Sequence, residues 1–454
     1  MNPVDFDRVA AAFAAFHHQF APLFGRTEAQ RRSEQYVRGL LVQQTDRRNA
    51  ENVADVIAGA TPRALQRLLT EAPWETAPVI DALHAYLAPR LSTPDGVFVL
   101  DESGFPKKGT KSVGVTRQYS GALGKVGNCQ VGVFLAYVSE RGHALVDARL
   151  LLPREWVDDP VRRQAAGVPV AVGYQSKAAL GLALLQQAHT AGHLTGQWVT
   201  ADEDYGKVPT LRDALDTDGW RYVLEVPTTT PVFVHATPVA VPAWAGRGAK
   251  PTRPRVVAGA APATTAQAWA AGLVPDQWQI LTVAEGAQGP RMYQFAAQRV
   301  WESRDGVPGR ESWLVGRRNL DGSEPKFYLS NAPTDTSLLV LGQVGAARWP
   351  IETEFQTLKG EAGLDEYEVR SWAGWYHHIT LVLLAGAFLV TIQQEWGKKS
   401  APSDAAASQS GPARTLAASD VDGRRPAGLA RRHPTPQRVR QTRAYPTPPS
   451  SLTQ

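Results

Sequence analysis

Around Gly96 the apolar pattern of this chain changes period, and that change limits the architectures open to it. Upstream, Phe6, Val9, Phe13, Phe16 and Phe20 recur at three- and four-residue steps, the apolar face of an amphipathic helix. Tyr36, Val37, Leu40 and Leu41 form a second such run. Thr61 followed by Pro62 caps a further helix, with Leu65, Leu68 and Leu69 inward and Arg63, Gln66 and Arg67 outward. Downstream the runs are short and β-rich. "GVFVLD", "NCQVGVFLAYVS" and "HALVDARLLLP", joined by glycine-containing turns, predict a three-stranded meander. A helix over about 176–192, a strand ending at Asp202, a helix over about 209–216 and the strand "RYVLEVP" follow.

Three antiparallel strands, then helix, strand, helix and strand, is the order of an RNase H-like sheet. The predicted fold class is therefore α/β: an RNase H-like mixed sheet with flanking helices. At 454 residues the chain has room for more than one core. We divide it into a helical N-terminal DNA-binding region (1–92), a first part of the core (93–227) and a β-rich insertion (228–325). A second part of the core follows (326–396), and then a disordered basic tail (397–454), rich in Ala, Ser, Pro and Arg. The segment "AENVADVIAGATPRALQRLLTEAPW" suggests a helix-turn-helix whose Arg63, Gln66 and Arg67 reach DNA; a plain helical hairpin satisfies the same pattern.

Composition narrows the function classes. A net charge of +5 is compatible with a polyanionic partner but is common among ordinary proteins. Cys129 is the single cysteine and lies in an apolar run, so disulfides and cysteine-based metal sites are excluded and a buried thiol is expected. No basic leader precedes an apolar segment, and Ile379 to Ile392 is too short to span a bilayer of about 20 residues. A cytoplasmic, nucleoid-associated protein with no membrane partner is expected. Richness in Ala, Gly, Arg and Pro suggests a GC-rich bacterial genome.

Three acidic residues carry the chemistry. Asp101 ends the strand of "GVFVLDESGFPKKG", Asp202 ends that of "QWVTADEDYG", and Glu352 lies in a late helix. Two aspartates at strand ends plus a helical glutamate suit two-metal phosphodiester chemistry, with Mg²⁺ as the hard, oxygen-seeking ion. Asp101 is the expected bridging ligand; Asp204 competes with Asp202, and Glu354 with Glu352. Arg348, Glu352 and Lys359 follow R-x-x-x-E-x-x-x-x-x-x-K, about one and three helical turns apart, on one face. Arg348 and Lys359 are candidate phosphate contacts, although Arg348 with Glu352 also reads as a simple i,i+4 ion pair. Lys107 and Lys108, in the turn after Asp101, are further candidate DNA contacts.

Taken together these segments resemble the DDE transposases of bacterial insertion sequences, in the branch with a β-rich insertion and a Y-x-x-R-x-x-x-E-x-x-x-x-x-x-K (YREK) signature. The likeness rests on "LDESGFPKKG", "ADEDYG", "RWPIETEFQTLKGEAGL" and "SWAGWYHHITLVLLAGAFL", and covers most of residues 30–395. It implies Asp101, Asp202 and Glu352 as catalytic and metal residues and two Mg²⁺ ions, with Mn²⁺ able to substitute. It also implies cleavage and joining of DNA ends by a homodimer on double-stranded DNA, in this branch through a hairpin. Trp301 and Trp313 are then candidates to receive a flipped base, against ordinary core packing. Two departures stand out: Gly345 occupies the signature's tyrosine position, and the tail is unlike the family's ending.

Two other readings compete. A catalytically inactive DNA-binding remnant would keep the fold and bind element ends without cutting them. A phosphatase using Asp101 as nucleophile commonly has D-x-D, and Ser103 stands at the second position here. No Gly-rich loop ending in Lys-Ser/Thr is present, which argues against ATP use.

Overall fold

Val97, Phe98, Val99 and Leu100 open the strand β1 (Val97–Pro106), all buried, as a central strand covered on both faces requires. The computed structural model describes residues 3–42, 47–121, 124–286 and 289–396, which fall in one compact unit. The expected tail at 397–454 lies outside the described residues, as does the side chain of Phe6.

Among the described residues five α-helices precede β1: α1 (Pro3–Phe20), α2 (Thr27–Leu41), α3 (Ala50–Val56), α4 (Pro62–Thr70) and α5 (Thr76–Leu91). In α4 the Thr61 hydroxyl accepts from the Ala64 amide at 3.4 Å, and Leu65, Leu68 and Leu69 are buried while Arg63, Gln66 and Arg67 are exposed. That is the predicted cap and the predicted division of faces.

After β1 come β2 (Thr116–Ser120), β3 (Lys125–Ser139) and β4 (Gly142–Leu150), then α6 (Arg154–Val157), α7 (Pro160–Ala165) and α8 (Lys177–Ala191). The strand β5 (Trp198–Ala201), short helix α9 (Glu203–Gly206), helix α10 (Pro209–Thr217) and strand β6 (Arg221–Val226) complete the first part of the core. Pairing gives the order β4–β3–β1–β5–β6, with β3 antiparallel to both β1 and β4, and β1, β5 and β6 mutually parallel. The fold is the RNase H-like mixed sheet with flanking helices. The strand β2, which the sequence reading did not find, shares an edge of the long β3 with β4.

The β-rich segment contains β7 (Pro231–Phe233), β8 (Val239–Ala240), β9 (Arg255–Val256), β10 (Thr264–Thr265) and α11 (Ala266–Ala271). The longer β11 (Gln279–Gly286), β12 (Gly289–Arg304) and β13 (Val307–Arg318) follow, and then β14 (Lys326–Ser330). β14 pairs antiparallel with β6, and β13 and β12 continue outward from it. The segment therefore extends the core sheet by satisfying the free edge of β6. Its own small core includes Val232, Trp269, Val300 and Leu314. A buried ion pair fastens it to the core: Arg212 of α10 meets Glu302 of β12 at 3.0 Å, both almost fully buried.

Three helices close the fold: α12 (Leu338–Ala346), α13 (Trp349–Ala362) and α14 (Trp372–Trp396). α14 is longer than the predicted apolar stretch. Among the described residues it is the one helix long and apolar enough to cross a bilayer, yet 94% of its apolar window is buried inside the protein. It lies against β4, α2, α4 and α5, and Phe388 meets the rings of Phe13 and Phe16 of α1. Fully buried Leu381 and Leu384 contribute about 1.5–3 kcal/mol each by burial. Cys129 is a buried free thiol, as expected.

Candidate active site

Strand register gathers the acidic groups. Leu100 of β1 pairs with Ala201 of β5, and Ala201 pairs with Leu224 of β6. The next residues along the three parallel strands are Asp101, Asp202 and Glu225. Asp101 lies mid-strand in β1, Asp202 just past the end of β5 and Glu225 next to the end of β6; matched positions on adjacent strands share a face, so the three form a row across the sheet.

Each member is held locally. Asp101 Oδ1 accepts from the Glu102 amide at 2.7 Å. Asp202 caps α9, its Oδ1 accepting from the Asp204 amide at 2.9 Å. The turn into α9 starts at Asp202, which ends the strand alternation that would have put Asp202 and Asp204 on one side. Asp204 instead meets Lys207 at 2.5 Å and Lys177 at 3.6 Å, and the Lys207 contact holds its carboxyl below the usual range. Lys177 also meets Glu102 at 2.5 Å. Gly206 ends α9 because nothing larger fits: a Cβ there would lie 1.8 Å from the Glu225 carbonyl oxygen.

Arg348 spans the row from the base of α13. Its guanidinium is 3.0 Å from Glu225 Oε2 and 3.6 Å from Asp101 Oδ2. Burial opposes its charge, but Asp101, Asp202 and Glu225 more than offset this and raise its pKa. Burial pushes the Asp101 carboxyl up to about 6, with Arg348 opposing and Asp202 adding to the rise. Asp202 is raised for the same first reason, again against Arg348. Arg348 therefore pairs across the sheet, and not with Glu352 along its own helix.

Glu352 is one turn beyond Arg348 on α13 and exposed; among the described residues its side chain makes no ion pair with the aspartates or with Arg348. Its competitor Glu354 faces the interior, 3.5 Å from His143, with its pKa pushed up to about 7 by burial. Lys359 is half-buried, and burial lowers its pKa. The structure thus gathers Asp101 and Asp202 with Arg348 and leaves Glu352 outside the cluster. Glu225 escaped the sequence reading. Its signal was the lone acidic residue near the end of the apolar strand "RYVLEVP", the same context that singled out Asp101 and Asp202.

The candidate DNA contacts divide. Lys107 donates to the Tyr367 carbonyl at 3.1 Å and lies 3.5 Å from the centre of its ring, so it is engaged within the protein; Lys108 is exposed. Burial lowers the Lys107 pKa to about 8. Arg67 pairs with Glu71 at 3.1 Å on the exposed face of α4. Trp301 and Trp313 are half-buried, and the Trp313 indole donates to the Pro333 carbonyl at 3.1 Å, a packing role. Gly345 lies beside Tyr328 of β14, whose ring atoms are 3.4 and 3.6 Å from where a Cβ would stand. A cleft of about 900 Å³ lies elsewhere, lined by Gln66, Lys111, Arg162 and Glu368, with none of the acidic row in its walls.

A family of proteins described as DDE superfamily endonucleases matches residues 19–290, well over half of the chain. The chain belongs to the DDE superfamily endonucleases. The matched span holds Asp101, Asp202 and Glu225 and ends before α13. No curated protein sequence matches the chain. Among solved structures it is similar to a piggyBac transposase synaptic complex with hairpin DNA, determined by cryo-EM, at 10% identity and a TM-score of 0.38, over 91% of this chain and 78% of that one.

Members of this superfamily typically use divalent metal ions. Among the described residues no group of three or more His, Cys, Asp or Glu is arranged to hold a metal ion. The Asp101–Asp202 pair fits as two oxygen ligands. Burial holds both pKa values up, with Asp202 adding to the rise at Asp101 and Asp204 to that at Asp202, a condition that a cation relieves. Beside them the Tyr205 hydroxyl and Glu102 Oε2 are buried without a hydrogen-bond partner.

Proposed function

We propose that this DDE endonuclease is a DNA transposase of the bacterial insertion-sequence kind, which cuts the ends of its element and joins them to target DNA. The observation that carries this reading is that Asp101 and Asp202 each follow a residue of the register pair Leu100–Ala201, with Arg348 3.6 Å from Asp101. In this reading Asp101 and Asp202 hold Mg²⁺, with Mn²⁺ able to substitute, and Glu352 joins them from α13 when DNA is bound. The bound ions supply the Lewis acidity for phosphodiester hydrolysis and transesterification. Arg348 steadies the scissile phosphate through its planar donors. Exposed Lys108, Arg63 and Gln66 meet the DNA backbone or bases, and half-buried Lys359 adds positive charge along α13. We further propose a homodimer on paired double-stranded ends, working in the cytoplasm on the nucleoid.

Two observations favour the alternative, a DNA-binding protein without cutting activity: Glu352 stands apart from the aspartates, and Gly345 leaves the signature without its tyrosine. A single assay separates the two. Full-length protein is incubated with a labelled duplex carrying the element's end and Mg²⁺ or Mn²⁺, beside Asp101→Ala. Metal-dependent cleavage at the element boundary, lost in Asp101→Ala, is the expected result. Binding by both proteins with cutting by neither would sustain the remnant reading.

A further inference from the structure

We propose that Glu225 is a positioning residue of this site: it holds the Arg348 guanidinium on the β6 side of the acidic row, keeping the Asp101 and Asp202 oxygens available. The inference rests on the nuclease reading of those two aspartates and goes beyond it, because it gives the third strand of the row a task. Glu225 is 5% exposed, and both of its carboxylate oxygens are engaged. Oε1 takes Lys326 at 2.5 Å and Oε2 takes Arg348 at 3.0 Å. Lys326 comes from β14, the neighbouring strand, whose Tyr328 pairs with Glu225 in register. The carboxylate is thus pinned from one side while it grips Arg348 from the other.

The alternative partner for Arg348 is close. Asp101 Oδ2 lies only 3.6 Å away, and the Arg348 Nε is buried without a partner, so the guanidinium has unused donor capacity. A bidentate Arg–carboxylate pair is a favourable geometry. Without the Glu225 charge, Arg348 turns fully onto Asp101 and competes with any cation for its oxygens. Backbone contact sets the spacing between the two sides, since the Glu225 carbonyl presses on Gly206 at the end of the Asp202 turn. Arg212, buried in its pair with Glu302, also donates to the Gly206 carbonyl and fixes that turn from behind.

Mn²⁺ binding to the DNA-free full chain, followed by calorimetry and by the Mn²⁺ paramagnetic resonance signal, tests this without reference to turnover. The proteins are wild type, Asp101→Asn, Glu225→Gln, Glu225→Asp, Arg348→Ala and the Glu225→Gln/Arg348→Ala pair, each checked by thermal melting. Glu225→Gln is expected to weaken Asp101-dependent Mn²⁺ binding about tenfold, and Arg348→Ala in the same chain to restore it, as coupling between contacting residues requires. Glu225→Asp keeps the charge but withdraws it by one methylene, so it gives a smaller loss and carries the test where Glu225→Gln does not fold. Unchanged binding in either Glu225 variant overturns the proposal, and so does a loss that persists when Arg348 is removed. No Asp101-dependent binding in wild type would overturn this inference, while the nuclease reading stands or falls separately by the metal-dependent cleavage assay on DNA.

Discussion

Gly206 and Glu225 touch through their backbones: a Cβ on Gly206 would lie 1.8 Å from the Glu225 carbonyl oxygen. The contact locks the helical turn that starts at Asp202 against the strand that carries the Arg348 anchor. Gly206→Ala has to push α9 off β6, and overpacking of this kind costs roughly 1–3 kcal/mol. The expected outcome is a lower melting temperature together with lost DNA cleavage, because Asp202 moves with its turn. A melt and a cleavage assay on the same preparation check it.

The two glutamates of α13 should separate by phenotype. Glu352 is exposed, so Glu352→Gln leaves the melting temperature unchanged and abolishes cutting. Glu354 is buried beside His143, so Glu354→Ala lowers the melting temperature by leaving a cavity, and any loss of cutting tracks the loss of folded protein. Cutting that survives Glu352→Gln would sink the assignment of Glu352.

Lys107 and Lys108 are neighbours with opposite expectations. Lys107 is held over the Tyr367 ring and bonded to its carbonyl, so Lys107→Ala lowers stability, by about 1 kcal/mol for the lost cation–π contact. Lys108 is exposed, and Lys108→Ala leaves stability alone while weakening DNA binding and reducing its salt slope by about 1. Binding titrations over a salt series give the slope.

Asp147 supplies a pH dependence away from the acidic row. It is buried beside a cavity of about 70 Å³, Oδ1 accepts from the Ala148 amide, and Oδ2 has no partner. Burial pushes its pKa up to about 6 from an ordinary 3.8, with Arg149 opposing. The folded state thus binds the proton more tightly than the unfolded chain. The stability this contributes is complete below about pH 4 and is lost as pH rises through about 6, a swing of up to about 3 kcal/mol. Asp147→Asn, neutral throughout, is expected to melt higher than wild type at pH 8 and to show no such gain near pH 4. Equal melting temperatures at pH 8 would count against it.

Restoring a tyrosine at position 345 should not help. Tyr328 already stands 3.4 Å from the place of a Gly345 Cβ, so a Cβ fits and a phenol ring does not. Gly345→Tyr is expected to lower stability by about 1–3 kcal/mol. Gly345→Ala should be nearly silent by the same melt.

Much of this was legible along the chain because it depends on local periodicity. The strands around Asp101 and Asp202, the Thr61-capped helix and the buried apolar helix near the end all follow from the spacing of apolar residues and capping groups. The order of strands and helices was enough to give the RNase H-like sheet. Pairing across the sheet was not. That β14 sits against β6, and so carries the β-rich segment into the core sheet, depends on which free edge a strand reaches. Glu225 joined the row only through register, since nothing in "RYVLEVP" says that the preceding Leu224 will pair with Ala201 at the end of β5. Helical spacing alone put Arg348 beside Glu352. In the folded chain Arg348 turns to buried carboxylates on β1 and β6, where a low-dielectric setting makes the attraction stronger than an exposed pair along one helix. Sequence by itself determined which groups this protein can use, and tertiary structure decided which of them meet, because register and burial are set by contacts between residues far apart in the chain.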